Sequence, residues 1–208
     1  MSSPTWSLIH AERRQLISDL RGLDQQQWST RSLCPEWDVH GMLGHIVALT
    51  KQTPPKFASK IVRSGFSFNT MVAKDAAKEA NGTPTDTLAE FERHAQDTTS
   101  PPGPVLSWLG EMVVHGADIR RPLGLSYAPP TSTTIQVADF YKNSNLLIGS
   151  KKRIAGLRLV ATDADWSTGS GPEVSGPMLS LVQAMTGRTA ALEDLTGDGV
   201  AELRSRMP

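Results

Sequence analysis

Glu111-Met-Val-Val-His115-Gly-Ala-Asp118 lies in a segment of the 208-residue sequence whose apolar residues recur at helical spacing. A carboxylate and an imidazole four residues apart lie on one face of a helix, one turn from each other. Two such side chains can bind a single metal ion, as Glu-x-x-His pairs do in helix-bundle metal sites. The stretch is therefore typical either of a metal-binding helix in a bundle or of an ordinary solvated helix face.

A second histidine, His45, favours the metal-binding interpretation. It follows Asp38, a residue suited to cap a helix N-terminus, in a segment where Met42 and Leu49 belong to an apolar face. Because His45 falls between them on that face, we expect its side chain to point into the protein. Two imidazoles and one carboxylate are a frequent ligand set for catalytic Zn²⁺, and the same set on octahedral iron serves oxygenases.

The segment around Glu111 has an apolar stripe with polar residues beside it. A step of 100° per residue places Glu111, His115 and Asp118 on the flank of this stripe, whereas a solvent-facing row of charges would lie opposite it. Asp118, one turn beyond His115, is placed to orient the second ring nitrogen of that histidine. The stripe consists of Val105, Leu109, Met112 and Val113.

The same residues also allow a metal-free interpretation. A single histidine on an apolar helix face is usually a hydrogen-bonded core residue, and a glutamate at a helix flank is usually solvated. Helical spacing alone does not separate the two interpretations. The remaining histidines lie outside these helical faces and are not expected to be ligands: His10, His40 and His94.

The first 125 residues are predicted to be mostly helical. Residues 28–37 and Ser100-Pro-Pro-Gly-Pro104 read as loops, and residues 50–84 read as a long irregular connection with Pro54-Pro55 at its start. Pro122 and Gly124 predict the end of the helix that carries the opening stretch. Helical patterns cover residues 6–20, 39–49, 85–97 and 105–121.

The pattern changes after about residue 125 and predicts a small α/β unit. Residues 157–162 alternate like a strand, and the Gly- and Ser-rich residues 167–177 suit a hairpin. Helical patterns cover residues 131–147, 178–185 and 198–206. We therefore expect two domains, a metal-binding helical bundle at residues 1–125 and a small α/β domain at residues 126–208.

Charge and hydropathy exclude several classes of partner. Lys plus Arg and Asp plus Glu number 21 each, so no broad basic surface for nucleic acid or anionic membranes is expected. The short cluster Lys151-Lys152-Arg153 is interpreted as a solvated loop. No apolar run approaches the roughly 20 residues that span a bilayer, and residues 1–6 lack a signal-peptide pattern. We expect a soluble cytoplasmic protein.

Three groups of motifs occur along the chain. Cys34-Pro-Glu-Trp-Asp-Val39 is followed by His45, and Glu111-Met-Val-Val-His115-Gly-Ala-Asp118 continues to Leu123-Gly124. The tail contains residues 157–166, Gly171-Pro-Glu-Val-Ser-Gly-Pro177, Gly187-Arg188 and Leu195-Thr-Gly-Asp-Gly199. In combination they resemble the mycothiol-dependent maleylpyruvate isomerase family, a branch of the DinB-like metal-binding four-helix bundles that often carries a small C-terminal domain.

The resemblance implies a fold, a ligand set and a chemistry. The fold would be a DinB-like four-helix bundle with a long crossover, plus the small α/β domain. A divalent metal, most often zinc, would be held by His45, Glu111 and His115, with Asp118 behind His115. The low-molecular-weight thiol mycothiol would be the cosubstrate, and its thiolate would attack a small electrophile. The outcome would be either S-transfer or cis–trans isomerisation of the maleylpyruvate type.

Other residues receive weaker assignments. Arg188 is a candidate for binding an anionic substrate or the thiol, because a guanidinium pairs well with carboxylates, and a structural ion pair is an equal alternative. Cys34, the single cysteine, allows no intrachain disulfide and reads as a small loop residue rather than a nucleophile. Trp37 and Trp108 are expected to pack in the core.

Three functions remain open from the sequence. The first is a metal- and thiol-dependent transferase or isomerase, acting as a monomer or homodimer. The second is a metal-containing binding or stress-response module without turnover. The third is a structural bundle in which the three residues form a metal-free hydrogen-bonded cluster. The sequence does not predict the electrophile.

Overall fold

The computed structural model describes residues 4–145 and 148–208, and most of them are helical. Contacts between Cα atoms divide the chain into two compact units, Met1–Tyr127 and Ala128–Pro208. The expected fold class, mainly helical with a small sheet in the C-terminal part, is confirmed. None of the helices in the described ranges has the length and apolar character needed to cross a bilayer.

The N-terminal unit contains seven helices within its described residues. They are α1 Pro4–Leu20, α2 Gln25–Trp28, α3 Val39–Thr50, α4 Pro54–Arg63, α5 Phe68–Glu79, α6 Pro84–His94 and α7 Val105–Arg120. Helix α1 packs against α6 and α7, and α3 packs against the same two helices, so these four form a bundle. Helix α5 packs on α3 from outside this bundle.

The core of the bundle follows the predicted apolar faces. Large side chains such as Leu16, Leu43, Phe91, Leu109 and Ile119 are fully buried. Each contributes roughly 1.5–3 kcal/mol of hydrophobic stabilisation relative to an exposed side chain. The bundle therefore holds α3 and α7 side by side at a fixed separation.

Helix termini explain where these helices begin and end. Asp38 caps α3 as predicted, with its side chain accepting a hydrogen bond from the Gly41 amide at 2.7 Å. After α7, the amide of Leu125 donates to the Arg120 carbonyl oxygen and Gly124 adopts a left-handed φ of 67°. A glycine tolerates this conformation without strain, so Gly124 lets the chain turn away after α7 ends at Arg120.

The prediction of an irregular connection over residues 50–84 is wrong, because α4 and α5 occupy most of it. Pro54-Pro55 begins α4 instead of breaking a helix, since the first turn does not need the amide hydrogens that proline lacks. Thr53 and Ser67 cap the two helices. Helix α4 has an amphipathic sequence but no buried residue, and α5 buries only Met71 and Ala76, so neither contributes much to the core.

Helix α7 also differs from the expectation of polar residues beside a buried stripe. From Leu109 to Arg120 every residue except Glu111 is buried, including His115 and Asp118. Val105, predicted to belong to the stripe, is only half-buried. The polar residues of the opening stretch therefore lie inside the unit, where each needs a partner.

The C-terminal unit combines helices with a three-stranded sheet. Its elements are α8 Thr131–Tyr141, α9 Ser150–Arg153, β1 Arg158–Ala161, β2 Ser167–Gly169, β3 Glu173–Gly176, α10 Met178–Met185, a 3₁₀ helix Thr189–Asp194 and α11 Val200–Ser205. The strand order is β2-β1-β3, with β1 antiparallel to β2 and parallel to β3. Gly169 and Gly171, both at positive φ, carry the chain past the start of β1, where a Cβ would lie 2.1 Å from a backbone oxygen.

Two predictions for the C-terminal unit need correction. The helix expected over residues 131–147 ends at Tyr141, and residues 146–147 lie outside the described residues. The cluster Lys151-Lys152-Arg153 forms α9 rather than a solvated loop. Arg153 donates hydrogen bonds to the carbonyl oxygens of Ile148 and Met185, so this side chain supports the unit from inside.

Gly44 tests the close packing of α5 on the helix that carries His45. A Cβ at Gly44 would lie 2.6 Å from the Ala76 carbonyl oxygen and 2.9 Å from the Ala80 Cβ. We expect Gly44→Ala to lower the free energy of unfolding by about 1–3 kcal/mol, measured by urea denaturation. Gly22→Ala is the control, because no atom lies within 4 Å of its added Cβ. Equal stability of the two variants would contradict the packing described.

Candidate metal centre

Three side chains from α3 and α7 converge in the N-terminal unit. Glu111 Oε2 lies 3.6 Å from His45 Nε2 and 3.0 Å from His115 Nε2. The two imidazole rings are 5.0 Å apart between centroids and nearly perpendicular. Each residue offers a ligand atom within 4.8 Å of the other two. The residues predicted to share a site are therefore adjacent, with one carboxylate oxygen between two ring nitrogens.

The spacing of these atoms suits a tetrahedral cation. Two metal–ligand bonds of about 2.1 Å at a tetrahedral angle place their donor atoms about 3.4 Å apart. The distances from Glu111 Oε2 to the two Nε2 atoms, 3.6 and 3.0 Å, fall on either side of this value. His45, Glu111 and His115 could hold a divalent ion after small side-chain adjustments, with a fourth position left for another ligand.

Helix geometry and neighbouring rings orient the three side chains. Glu111 and His115 lie one turn apart on α7, and His45 reaches them from α3, which packs against α7. The Trp37 ring stacks on His45, with centroids 4.9 Å apart and planes 16° apart. His45 is thus confined between an aromatic ring and the other histidine.

Asp118 lies behind His115. Its Oδ2 is 2.9 Å from His115 Nδ1, and the side chain is fully buried. A carboxylate at Nδ1 fixes the ring orientation and leaves Nε2 directed toward Glu111 and His45. This is the position that helical spacing predicts for Asp118.

Cys34 lies next to Asp118, which the sequence analysis did not predict. Its Sγ is 3.9 Å from Asp118 Oδ2, and Cys34, His115 and Asp118 form a second group of close ligand atoms. The loop before α3 brings Cys34 there, because the Leu33 amide donates to the Asp118 carbonyl oxygen. The only signal in the sequence was the position of Cys34 in the motif that precedes His45.

The charges of these groups depend on one another. Burial opposes ionisation of Glu111, but hydrogen bonding to His115 and the proximity of His45 outweigh it and hold the pKa of Glu111 well below its ordinary value. Burial also opposes a charge on His115, while Asp118, Cys34 and Glu111 raise the pKa of His115 well above its ordinary value. A cation bound by Nε2 would have to displace the proton that His115 otherwise donates to Glu111.

A small pocket adjoins Glu111 on the same unit. Its walls come from α1, α3, the loop at residues 99–101 and α7. Trp108 lines this pocket and is half-buried, and Trp37 is half-buried against His45, so neither has the purely core position that was predicted. The other lining residues are Arg13, Ile46, Leu49, Thr50, Thr99, Ser100, Pro101 and Met112.

The remaining histidines lie apart from the three candidate ligands, as the sequence predicts. His10 Nε2 is 3.3 Å from the Asp97 carbonyl oxygen, and His40 Nε2 is 2.9 Å from Thr87 Oγ1. His94 lies between Asp97 and Glu90. None of them joins a group of close ligand atoms within the described residues.

Arg188 lies in the C-terminal unit, where it precedes the 3₁₀ helix. Its Nη1 donates to the carbonyl oxygen of Thr186 at 3.0 Å. The positive charge of Arg188 contributes, after burial, to lowering the pKa of nearby Arg153. Its role in binding an anion remains a prediction.

Comparison with known proteins finds a family model that matches part of the chain and solved structures with a similar fold. Residues 9–100 match the family model "Mycothiol maleylpyruvate isomerase N-terminal domain". The matched range includes Cys34, Trp37 and His45 and ends before Glu111. The sequence has no significant match among curated proteins.

Two solved structures have a similar fold. One is the crystal structure of the mycothiol-dependent maleylpyruvate isomerase, with a TM-score of 0.64 and 13% sequence identity over 93% of this chain and 91% of that chain. The other is a histidine-to-alanine mutant of that isomerase, with a TM-score of 0.64 and 12% identity over the same shares. With the family model matching residues 9–100, these findings show that the N-terminal part of the chain is similar to this family and that the chain shares the fold of the isomerase.

Proposed function

We propose that this chain is a divalent-metal-dependent enzyme that uses mycothiol to attack a small electrophile. The observation that carries the proposal is the position of Glu111 Oε2, within 3.6 Å of His45 Nε2 and 3.0 Å of His115 Nε2. The family match of residues 9–100 supports mycothiol as the thiol, because the structurally similar isomerase is described as mycothiol-dependent. We propose Zn²⁺ as the metal, since two imidazoles and one carboxylate are a frequent ligand set for it.

Each residue of the site has a distinct task in this proposal. His45, Glu111 and His115 would hold the cation, which when bound would stabilise the thiolate form of the cosubstrate and lower the pKa of its thiol. Asp118 accepts the Nδ1 proton of His115 and so directs the lone pair of Nε2 into the site. Trp37 covers one face of the His45 ring and keeps water from it.

The pocket beside Glu111 is the proposed place for the electrophile. It has room for about one water molecule in this structure, so it would have to open to admit the substrate. There the thiolate sulfur forms a bond to an electrophilic carbon. In a cis–trans isomerisation, rotation about the former double bond is followed by cleavage of the same carbon–sulfur bond, which regenerates the thiol. In an S-transfer, the adduct takes up a proton and leaves as the product. Ile46, Leu49 and Met112 give the pocket an apolar wall against which the substrate can pack.

Metal content tests the ligand assignment. We expect protein purified without a His-tag or a chelating column to contain close to one equivalent of zinc by elemental mass spectrometry. His45→Ala should weaken zinc binding by at least about a hundredfold, because loss of a direct ligand exceeds the roughly 10–100-fold effect of losing an outer partner. His40→Ala is the matched control, since His40 lies on the same helix and contacts Thr87 instead.

Two outcomes would reject the metal site. One is a zinc content below about a tenth of an equivalent in protein that also fails to bind added zinc. The other is equal zinc affinity of the two histidine variants. Either result would support the metal-free hydrogen-bonded cluster. Unfolding midpoints of both variants ensure that the comparison is made between folded proteins.

Turnover tests the reaction. With zinc, mycothiol and maleylpyruvate or other small electrophiles, we expect thiol-dependent loss of the electrophile, and Glu111→Gln should lower kcat/KM at least about a hundredfold. The exposed Glu36 gives the control variant Glu36→Gln, which should retain full activity. If no adduct or isomer forms above the Glu111→Gln background with any electrophile, the chain is a non-catalytic binding module.

A further inference from the structure

The pocket beside Glu111 contains a positive charge that the proposed reaction does not use. Arg13, on the inner face of α1, lines this pocket together with Glu111 and Trp108. The Arg13 residue is only 4% exposed. Burial lowers the pKa of Arg13 to about 10, with the charge of Asp97 opposing the shift, so the guanidinium is still protonated at neutral pH.

Arg13 lacks a carboxylate partner among the described residues. Its Nη1 donates to the backbone carbonyl oxygens of Asp97, at 2.8 Å, and of His94, at 3.4 Å. The carboxylate of Asp97 instead lies 2.7 Å from His94 Nδ1. The Nε of Arg13 is buried and has no hydrogen-bond partner. On its other side the guanidinium lies 5.7 Å from the centroid of the Trp6 ring.

A buried cation with an unsatisfied donor is costly to maintain. An unpaired buried charge is strongly destabilising unless an opposite charge or several hydrogen bonds compensate it. Two carbonyl oxygens compensate Arg13 only in part. A ligand that brings a negative charge into the pocket would complete the pairing, and a carboxylate suits the planar donor arrangement of a guanidinium.

Trp108, which also lines this pocket, has a second unsatisfied donor. Its Nε1 is buried and has no hydrogen-bond partner among the described residues. An indole nitrogen can only donate, so it is suited to an acceptor such as a carboxylate oxygen. Trp108 precedes Glu111 by three residues on α7, which places the two side chains on one side of the helix.

We propose that Arg13 and Trp108 form a carboxylate-binding subsite beside Glu111, and that the electrophilic substrate carries the carboxylate. The assignment of this carboxylate to the electrophile rests on the proposed function, whereas binding of a carboxylate at Arg13 and Trp108 does not. The pocket has room for about one water molecule in this structure, so a short carboxylate would enter by displacing the surrounding side chains. Because the Glu111 carboxylate repels a second anion, the other carboxylate of a dicarboxylate would point away from Glu111.

Succinate is a suitable probe because it is a short carboxylate that a thiol does not attack. Titrated into the zinc-loaded full chain, it should move the Trp108 indole N–H resonance to lower field with saturation, followed by ¹⁵N NMR and assigned with Trp108→Phe. Affinities of the variants are measured by isothermal titration calorimetry, because Trp108→Phe removes the reporting resonance. Arg13→Met should weaken succinate binding at least about tenfold, and Trp108→Phe by about threefold to tenfold. Arg13→Lys should restore part of the affinity. Dimethyl succinate should not bind.

The neighbouring Arg14 provides the matched control. It is exposed on α1, so Arg14→Met removes the same charge without changing the pocket. A second titration without zinc separates this subsite from carboxylate binding to the metal, and the same dependence on Arg13 is expected.

The subsite is refuted if succinate leaves the Trp108 resonance unchanged, if folded Arg13→Met binds it like wild type, or if Arg14→Met loses as much affinity. If Arg13→Met does not fold, Trp108→Phe and dimethyl succinate decide the question in the same way. Succinate binding without any turnover would reject the thiol reaction and retain the subsite. Turnover without succinate binding would reject the subsite and retain the thiol reaction.

Discussion

One carboxylate oxygen, Glu111 Oε2, lies at the centre of the polar network in the N-terminal unit. It lies between the imidazoles of His45 and His115, and Asp118 continues the chain of polar contacts on the far side of His115. Each of these groups is costly to bury alone and acceptable only when paired with the next. The separation of α3 and α7 is therefore fixed both by apolar packing and by the need to keep these polar groups paired. A divalent cation would replace the shared proton as the positive charge at the centre of this network.

Glu111 also connects the network to the pocket. It is the one residue from Leu109 to Arg120 that is not buried, and it lines the pocket together with Arg13 and Trp108. Glu111 thus offers a ligand atom toward the two histidines and an accessible surface toward the pocket. In the proposed function, the first would hold the metal and the second would face the substrate.

The sequence predicts those parts that depend on local chemistry. Asp38 as an N-cap, His45 on an inward face and Asp118 one turn beyond His115 all follow from helical spacing, and the structure places them accordingly. Helix α4 has an amphipathic sequence and was missed because Pro54-Pro55 was interpreted as a helix break, whereas α5 buries only Met71 and Ala76. The contact of Cys34 with Asp118 joins residues 84 positions apart and depends on how a loop packs. The buried Arg13 is indistinguishable in sequence from the exposed Arg14 beside it.

His45, Glu111 and His115 are proposed to form one metal site with an open position. This proposal can be tested by X-ray absorption at the zinc edge, recorded on zinc-loaded protein before and after addition of mycothiol. We expect nitrogen and oxygen neighbours at about 2.0–2.1 Å with the outer-shell signature of two imidazoles, and one new sulfur neighbour at about 2.3 Å after thiol is added. A spectrum without two imidazoles, or one that thiol leaves unchanged, would contradict it.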